Sequence, residues 1–203
     1  MDYGKTNILP DRYYHIFNHA NSDINLFKKE QDYQSFFKRY HRYMNGIFKT
    51  LAYCLMPNHY HLCVKVETED VILAKKKNKE YTAEQIVSYQ LKNFLLSYSK
   101  YYQMVHETKG NIFQQKTKRI ELSEPDYLFN LIGYIHLNPA HHGYVDKPQE
   151  WRYSSYGAYI NRSKQTRVDV GKVLKLYGNE KNFKAHHNEL SRKKYAEKME
   201  LKY

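Results

Sequence analysis

The sequence predicts an α+β protein in which helices cover one face of an antiparallel sheet. One observation is the order of the periodic segments, which runs strand, helix, two strands, helix, strand, helix. Another is a pair of apolar runs, Phe48–Met56 and His59–Val66, separated only by Pro57 and Asn58. That turn pair favours an antiparallel hairpin. A chain of 203 residues with 41% hydrophobic content suffices for one core, so a second globular domain is not expected.

The elements before the hairpin are a strand and a helix. Tyr13–Phe17 is predicted as the first strand because it is rich in aromatic residues and alternates. Gln31–Met44 is predicted as an amphipathic helix, because aromatic side chains recur there at helical spacing: Tyr33, Phe36, Phe37 and Tyr40. The hairpin follows this helix, and His59 opens its second strand.

A loop, a long helix and a further strand are predicted after the hairpin. Lys75–Glu80 is a solvated basic loop, and Thr82 with Gln85 forms a capping-box pattern at the start of the long helix. Asn111–Leu122 is then predicted as a strand that carries three basic residues: Lys116, Lys118 and Arg119.

One more helix completes the core. Ser123 and Asp126 are expected to cap its start, and Pro139 is expected to end it, because the residue before a proline avoids helical geometry. Its apolar stripe consists of Leu128, Leu131, Ile132 and Ile135. This stripe is the side of the helix predicted to face the core.

The domain organisation is predicted as one domain over residues 1–160 and a basic C-terminal extension over 161–203. Periodicity weakens beyond Tyr159, and Lys181–Tyr203 shows no clear core stripe. The extension is interpreted as an accessory nucleic-acid contact or as a flexible end.

The charge balance favours a polyanionic partner. Lys and Arg number 33 against 21 Asp and Glu, which gives a net charge of +12 and a pI near 9.4. The 22 tyrosines suit the same partner, since aromatic rings stack on unpaired bases, although packing of half-buried surfaces is an alternative use for them. Nucleic acid is therefore the expected ligand.

Cysteine usage and hydropathy indicate the compartment. Cys54 and Cys63 lie in the apolar runs and are interpreted as small buried hydrophobes rather than as a disulfide, which fits a reducing cytosol. The sequence shows neither a signal-like apolar segment nor a run of about 18 apolar residues. A soluble cytoplasmic protein is the expectation.

The most informative segment is MPNHYH at residues 56–61. His59 and His61 are two apart, so on a strand both imidazoles project to one face and suit chelation of a divalent cation. A second segment, GYIHLNP at 133–139, contributes Tyr134 and Asn138, which fall about 40° apart on one shoulder of the helix. His136 points about 160° away from Tyr134, so it is not expected to share their site.

Together these residues predict metal-assisted phosphoryl transfer. His59, His61 and Asn138 would hold a hard cation, and Tyr134 would be the nucleophile. A phenol has a pKa of about 10, so the reaction needs a polarised phosphate, which the cation supplies as a Lewis acid. The product is a covalent phosphotyrosine. Each motif alone also has a plain alternative, since an H-x-H pair or a tyrosine is more often part of the packing.

Four segments resemble, in order, motifs of the HUH single-tyrosine transposases of the insertion-sequence 200-like class, in their REP-associated branch. LAYCLMPNHYHLCVKV at 51–66 resembles the histidine–hydrophobic–histidine signature that follows a turn. The others are GNIFQQKTKRI at 110–120, YIHLNPAHHGYV at 134–145 and WRYSSYGAY at 151–159. The likeness runs from about Tyr13 to Tyr159, and four ordered motifs are more specific than any one.

The resemblance implies a ferredoxin-like α+β sandwich that binds single-stranded or hairpin DNA. It matches His59 and His61 to the family's metal ligands, Tyr134 to its nucleophile, and Asn138 to the polar residue that completes the metal site. It further implies cleavage with Mg²⁺ or Mn²⁺ through a 5′-phosphotyrosine, in a monomer or a homodimer.

The chain departs from the family pattern at two places. His19 stands where many relatives have an arginine, and the Asn-Pro segment continues as AHHG without the arginine often found there. Neither departure removes a proposed catalytic group. Three functions stay open: a strand-transferring DNA transposase, a domesticated hairpin-binding protein that does not cut, and a metal-dependent RNA-processing enzyme on the same scaffold.

The supporting residues have two interpretations each. Lys116, Lys118 and Arg119 are predicted to contact DNA phosphates, and the alternative is a solvated sheet edge protected by basic residues. Trp151 either stacks on a base or anchors the core.

Overall fold

The computed structural model describes residues 7–21, 24–76, 80–114, 116–161 and 167–192. Its strands are β1 (Tyr13–His19), β2 (Phe48–Met56), β3 (His59–Val66) and β4 (Lys118–Glu121). Its helices are α1 (Glu30–Met44), α2 (Glu69–Lys76), α3 (Ala83–His106), α4 (Pro125–His141), α5 (Tyr156–Asn161), α6 (Val170–Tyr177) and α7 (Glu180–Arg192), with a 3₁₀ turn at Pro148–Glu150.

The four strands form one antiparallel sheet in the order β2-β3-β1-β4. With α1 and α3 as connections, this is the β-α-β-β-α-β arrangement of a ferredoxin-like fold. The predicted α+β class is therefore confirmed. The register places His19 opposite His59 and Phe17 opposite His61. Because facing residues share one side of a sheet, β1 and β3 present a row of rings on a single face.

Helices cover both faces of this sheet. On one face α1 and α3 pack together, as predicted, with Phe36 of α1 against Tyr60 of β3 and Phe94 of α3. The prediction of one covered face is incomplete, because α4 covers the other face, where Tyr134 contacts the ring of His61. Nearly every residue of β2 and β3 is buried, which is the pattern of strands covered on both sides.

β4 is shorter than predicted. Its regular ladder with β1 covers Lys118–Glu121, instead of the whole of Asn111–Leu122. Phe113 is buried and forms an isolated bridge to Ala20, so the apolar residues before β4 pack as a loop rather than as part of the ladder. Their apolar character resembles that of a strand, and the Gln114 N–H still donates to the His19 carbonyl at the end of β1 at 3.0 Å, although the described residues form no regular ladder there.

The segment between the hairpin and α3 contains a helix that the sequence did not predict. α2 includes the first two residues of the predicted loop Lys75–Glu80, and residues 77–79 lie outside the described part. The capping box at the start of α3 is confirmed. The Thr82 hydroxyl accepts from the Gln85 N–H at 3.2 Å, and Gln85 Oε1 accepts from the Thr82 N–H at 2.9 Å.

Both predicted ends of α4 are wrong. The helix begins after Glu124, with Pro125 at its start, where the missing N–H of a proline costs nothing. The expected caps were Ser123 and Asp126. At the other end α4 continues through Pro139 for two more residues. A proline near the end of a helix removes only one backbone N–H, and the Pro139 carbonyl still accepts from the N–H of residue 144 at 2.9 Å.

The C-terminal part of the described chain packs on the core. In α7 the side chains of Phe183, His187 and Leu190 are buried, at a spacing of four and three residues. The expectation that residues 181–203 lack a core stripe is therefore wrong for residues 181–192, and residues 193–203 lie outside the described part. The stripe is hard to see in the sequence because its central member is a histidine. α7 contacts α4, and α6 contacts β2 and α7.

Two further expectations concern the cysteines and membrane segments. Cys54 and Cys63 are free and buried, and burial raises the pKa of both thiols. Both therefore act as small apolar groups, as expected. Within the residues that the structure describes, no helix combines the length and apolar character needed to cross a bilayer.

Candidate active site

The two histidines of the H-x-H segment lie on the sheet face that α4 covers. His59 and His61 are each 4% exposed, and their ring centroids are 5.1 Å apart. Strand geometry produces this arrangement, because residues two apart project to the same side.

The neighbouring strand β1 adds two histidines: His15, which the sequence analysis missed, and His19, which it noted as a departure from the family pattern. His19 stacks on His59 with ring centroids 4.8 Å apart, and Nε2 of His15 lies 3.0 Å from Nδ1 of His61. His15 also stacks on Phe17. The signal was present in β1 as H-x-F-x-H, the same alternation that marks β3.

α4 brings the predicted tyrosine and amide to these histidines. The ring of Tyr134 meets the ring of His61 edge to face at 5.6 Å. One helical turn later, Oδ1 of Asn138 lies 2.9 Å from Nε2 of His59. The structure therefore brings together all four residues that were predicted as nucleophile and metal ligands.

The contacts of His59 suit a metal ligand. Its Nδ1 lies 2.8 Å from Asn58 Oδ1, and its Nε2 lies 2.9 Å from Asn138 Oδ1. Burial lowers the pKa of His59 to about 4, so at pH 7 the ring is neutral and carries one N–H. With that N–H donated to Asn58, the Nε2 lone pair faces a carbonyl oxygen. Two adjacent ligands on bonds of about 2.1 Å in an octahedral site are themselves about 3.0 Å apart.

His61 and Asn138 have the matching chemistry. Burial lowers the pKa of His61 well below its ordinary value, so this imidazole is also neutral, as metal ligation requires. Nδ2 of Asn138 is buried and has no hydrogen-bond partner among the described residues, whereas Oδ1 points at His59. Within the described ranges no group of three or more His, Cys, Asp or Glu side chains is arranged for a metal. The contact with His59 makes the amide oxygen of Asn138 the third candidate ligand, a donor suited to a hard cation.

Two other histidines of the GYIHLNPAHH segment lie in different surroundings. His142 follows α4, is exposed, and places its ring 5.3 Å from that of His59. The sequence analysis noted His142 only as part of the AHHG segment, which departs from the family pattern. His136 is fully buried and contacts Ser155 and His187, away from Tyr134, as the helical wheel predicted.

The three predicted DNA-binding residues do not form one patch. Lys118 and Arg119 are adjacent in β4, so they project to opposite faces. Nζ of Lys118 lies 5.5 Å from the ring centroid of Phe17, on the face that carries the histidines. On the other face Arg119 and Lys116 line a groove of about 420 Å³ together with Lys92 of α3. Burial lowers the pKa of Arg119, and its buried Nε has no hydrogen-bond partner in the part of the chain that the structure describes.

Trp151 is tied to the sheet. Its indole N–H donates to the Leu55 carbonyl at 3.0 Å, and its ring lies near those of Tyr144 and Tyr153. These contacts favour the interpretation of Trp151 as an anchor of the core.

Comparison with known proteins gives two informative similarities. No protein-family model matches the chain. In sequence, the chain is 30% identical over 109 residues to a Haemophilus influenzae protein that carries the name REP-associated tyrosine transposase. This match covers 54% of the chain, which spans 59% of that relative's length.

A solved structure of a REP-associated tyrosine transposase bound to a REP hairpin has a similar fold. Its TM-score is 0.56 at 17% sequence identity, and the match covers 85% of this chain and 93% of the other. The predicted resemblance to this family is therefore confirmed, in sequence by the Haemophilus relative and in fold by the solved structure.

Proposed function

We propose that this chain, which is similar in sequence and fold to REP-associated tyrosine transposases, cleaves and rejoins single-stranded or hairpin DNA through Tyr134. One observation carries the proposal. Nε2 of His59 lies 2.9 Å from Oδ1 of Asn138 while the ring of His61 lies 5.6 Å from that of Tyr134. A candidate nucleophile and three candidate metal ligands thus share one buried location. All four belong to one chain, which supports a site complete in cis.

In the proposed reaction the phenolic oxygen of Tyr134 attacks the phosphorus of a DNA phosphodiester. A bond forms between that oxygen and phosphorus, and the bond from phosphorus to the 3′ oxygen breaks. The phenol loses one proton, and the departing strand gains one and ends in a 3′-hydroxyl. The other strand end remains attached as a 5′-phosphotyrosine, so attack by a 3′-hydroxyl rejoins DNA without an external energy source.

His59, His61 and Asn138 are the residues that would hold Mg²⁺ or Mn²⁺. When bound, the cation supplies Lewis-acid polarisation of the phosphate. The surrounding residues orient the ligands. Asn58 accepts the N–H of His59, and His15 contacts the Nδ1 of His61, which leaves its Nε2 for the cation. Contacts to the second nitrogen of a ligating imidazole fix the orientation of the ring.

Two basic zones are proposed to hold DNA. Lys118 lies on the face of the sheet that carries His61, where an ammonium group suits the phosphate under attack. The groove that contains Lys116, Arg119 and Lys92 lies on the opposite face and suits the backbone of flanking DNA. The net charge of +12 supports both assignments.

The proposal is tested by incubating labelled DNA hairpins with the protein and Mn²⁺ or EDTA, followed by a denaturing gel. We expect a protein–DNA adduct that requires Mn²⁺ and is absent from Tyr134→Phe. Tyr127→Phe is the matched control, because it removes a hydroxyl from the same helix about two turns before Tyr134. It should form the adduct at the wild-type rate.

Other outcomes identify the alternative functions. Tight hairpin binding without an adduct under any divalent cation would indicate a domesticated binding protein. Metal-dependent cleavage of a ribose substrate, with the matching deoxyribose substrate resistant, would indicate RNA processing.

A further inference from the structure

A second pair of histidines joins three elements behind the candidate active site. Nδ1 of His136, on α4, lies 2.9 Å from Nε2 of His187 on α7. Nε2 of His136 lies 2.7 Å from the hydroxyl of Ser155, just before α5. Nδ1 of His187 lies 2.8 Å from the Phe183 carbonyl. His136, His187 and Ser155 are each at most 1% exposed.

These hydrogen bonds form a chain with one consistent direction. The Phe183 carbonyl only accepts, so Nδ1 of His187 donates to it and Nε2 of His187 accepts. Nδ1–H of His136 therefore donates to His187, and Nε2 of His136 accepts from the Ser155 hydroxyl. The Ser155 oxygen in turn accepts from the Tyr53 N–H of β2 at 2.9 Å. All four ring nitrogens are satisfied, and this hydrogen-bonded chain links α7 through α4 to the edge of the sheet.

A close contact between helices adds to this link. A Cβ atom at Gly133 would lie 2.3 Å from Cδ1 of Leu190, so α7 reaches the backbone of α4 at that position. Gly133 directly precedes Tyr134 in the sequence. The contact and the hydrogen-bonded chain hold α4 at residues 133 and 136, on the side away from the histidines of the sheet.

We propose that α7 positions α4 for the reaction, and that His136 and His187 act as positioning residues for Tyr134 and Asn138. The inference rests on the proposed function. Residues 133 and 136 of α4 contact α7, whereas residues 134 and 138 of the same helix contact His61 and His59. Any rotation of α4 therefore moves the nucleophile and the amide relative to these two histidines. Misplacement of reacting groups by about 1 Å can lower a rate by about 100-fold.

The test compares two substitutions of His187. His187→Leu removes the acceptor for His136, whereas His187→Gln keeps an acceptor oxygen near the position of Nε2. We expect the single-turnover rate of adduct formation, at saturating hairpin and Mn²⁺, to fall at least tenfold in His187→Leu. It should be largely restored in His187→Gln. Ser155→Ala, which removes the donor at the other end of the hydrogen-bonded chain, should also slow the reaction.

A matched control separates positioning from stability. Val173→Ala removes a buried side chain in α6 that is not part of the hydrogen-bonded chain. All rates are measured below the unfolding temperature of every variant. We expect Val173→Ala to react at the wild-type rate despite a lowered Tm. If His187→Leu also reacts at the wild-type rate in its folded state, His187 is structural only and the proposal is overturned.

A second readout does not depend on activity. The ring ¹⁵N signals of His59 report its contact with Asn138, and NMR of histidine-labelled protein detects them. We expect these signals to shift in His187→Leu and to return in His187→Gln. Unchanged His59 signals in His187→Leu would overturn the positioning role. If the wild type forms no adduct, the proposed function fails, and the NMR result still decides whether α7 positions α4.

Discussion

The proton on each imidazole decides what the candidate site can bind. His59 has carbonyl oxygens near both ring nitrogens, at 2.8 Å and 2.9 Å, but its neutral ring has a single N–H. One of these contacts therefore joins two lone pairs, and either a cation bound by both Nε2 of His59 and Oδ1 of Asn138 or a flip of the Asn138 amide resolves that conflict. His61 has no such conflict, because in its contact with His15 one ring nitrogen can donate and the other accept, and this contact engages Nδ1 of His61.

The first prediction concerns His15. His15→Phe keeps the stacking against Phe17 but removes the nitrogen that contacts His61. Because such outer contacts orient a ligand, the Mn²⁺ concentration that gives half-maximal adduct formation should rise about 10- to 100-fold. Hairpin affinity in EDTA should stay unchanged. His41→Phe, at an exposed position on α1, is the control, and an unchanged Mn²⁺ requirement in His15→Phe would remove His15 from the site.

Among the elements, α4 is the one on which the candidate site depends. It packs on β2 and β3 on one side and on α7 on the other. The two sides of α4 differ in sequence accordingly: apolar residues face the sheet, and Gly133 faces α7.

The second prediction tests the contact between the two helices. Gly133→Ala places a methyl group against Leu190, which costs about 1–3 kcal/mol, whereas the better helix propensity of alanine returns about 1 kcal/mol. We therefore expect the free energy of unfolding to fall by up to about 2 kcal/mol. Gly157→Ala in α5, where a Cβ would meet no described atom within 4 Å, should instead be neutral or stabilising by about 1 kcal/mol. Denaturant titration measures both. Combining Gly133→Ala with Leu190→Ala should recover part of the loss, and strict additivity would contradict the contact.

The third prediction concerns pH and His187. Burial lowers its pKa to about 4 in the folded state, against an ordinary value of 6.5. The unfolded chain then binds more protons below pH 6.5, so this contribution to stability is fully present above pH 6.5 and is lost as the pH falls toward 4. Between pH 7 and pH 5 the loss from this one group is about 2 kcal/mol.

His187→Gln removes that group and is the comparison for the pH series. The unfolding free energy of this variant should fall less steeply than that of the wild type over pH 7 to 5. Parallel curves from urea titrations would mean that His187 is not buried and neutral in the folded protein.

The elements differ in how far sequence could predict them. The hairpin around Pro57 and the capping box at Thr82 are local, so short sequence patterns suffice to predict them. The start of α4 and the extent of β4 depend on which backbone groups find partners elsewhere, which no local pattern reports. The buried stripe of α7 was missed because His187 counts as polar, although a hydrogen bond to His136 satisfies it in the core.

The candidate site likewise combines features that local sequence patterns predict with contacts between distant segments that they do not. The strand alternation that places His59 and His61 together is local, and so is the helical spacing of Tyr134 and Asn138. Their meeting across α4 and β3 is a tertiary contact. The residue types suggested it as a hypothesis, and the resemblance to a family made that hypothesis more specific. His15 was missed because its role depends on strand β1 lying beside β3, and the register of that pairing is not visible in either segment alone.

Across the molecule as a whole, basic charge is distributed over both faces of the sheet. Lys118 stands near the histidine face, whereas Arg119 and Lys116 line the groove beside α3. DNA that contacts both zones must pass around the edge formed by β4, which is the outer strand of the sheet.

The fourth prediction measures these contacts through salt dependence. Arg119→Ala and Lys116→Ala should each lower the slope of log Kd for a hairpin against log salt concentration, by about 0.9 for each DNA phosphate that the variant no longer neutralises. Lys49→Ala is the control, since Lys49 pairs with Glu67 at 3.2 Å at the far end of β2. Slopes equal to that of the wild type in both groove variants would exclude the groove from DNA binding.

Covalent attachment of DNA to Tyr134 is the step on which the proposed function rests, and peptide mapping of the adduct identifies the attached residue. The adduct formed with Mn²⁺ is trimmed with nuclease, digested with protease and sequenced by mass spectrometry. We expect a nucleotide joined through a 5′-phosphate to Tyr134, in the peptide that also contains Asn138. Attachment to another of the 22 tyrosines, or tight hairpin binding without any modified peptide, would contradict the proposed function.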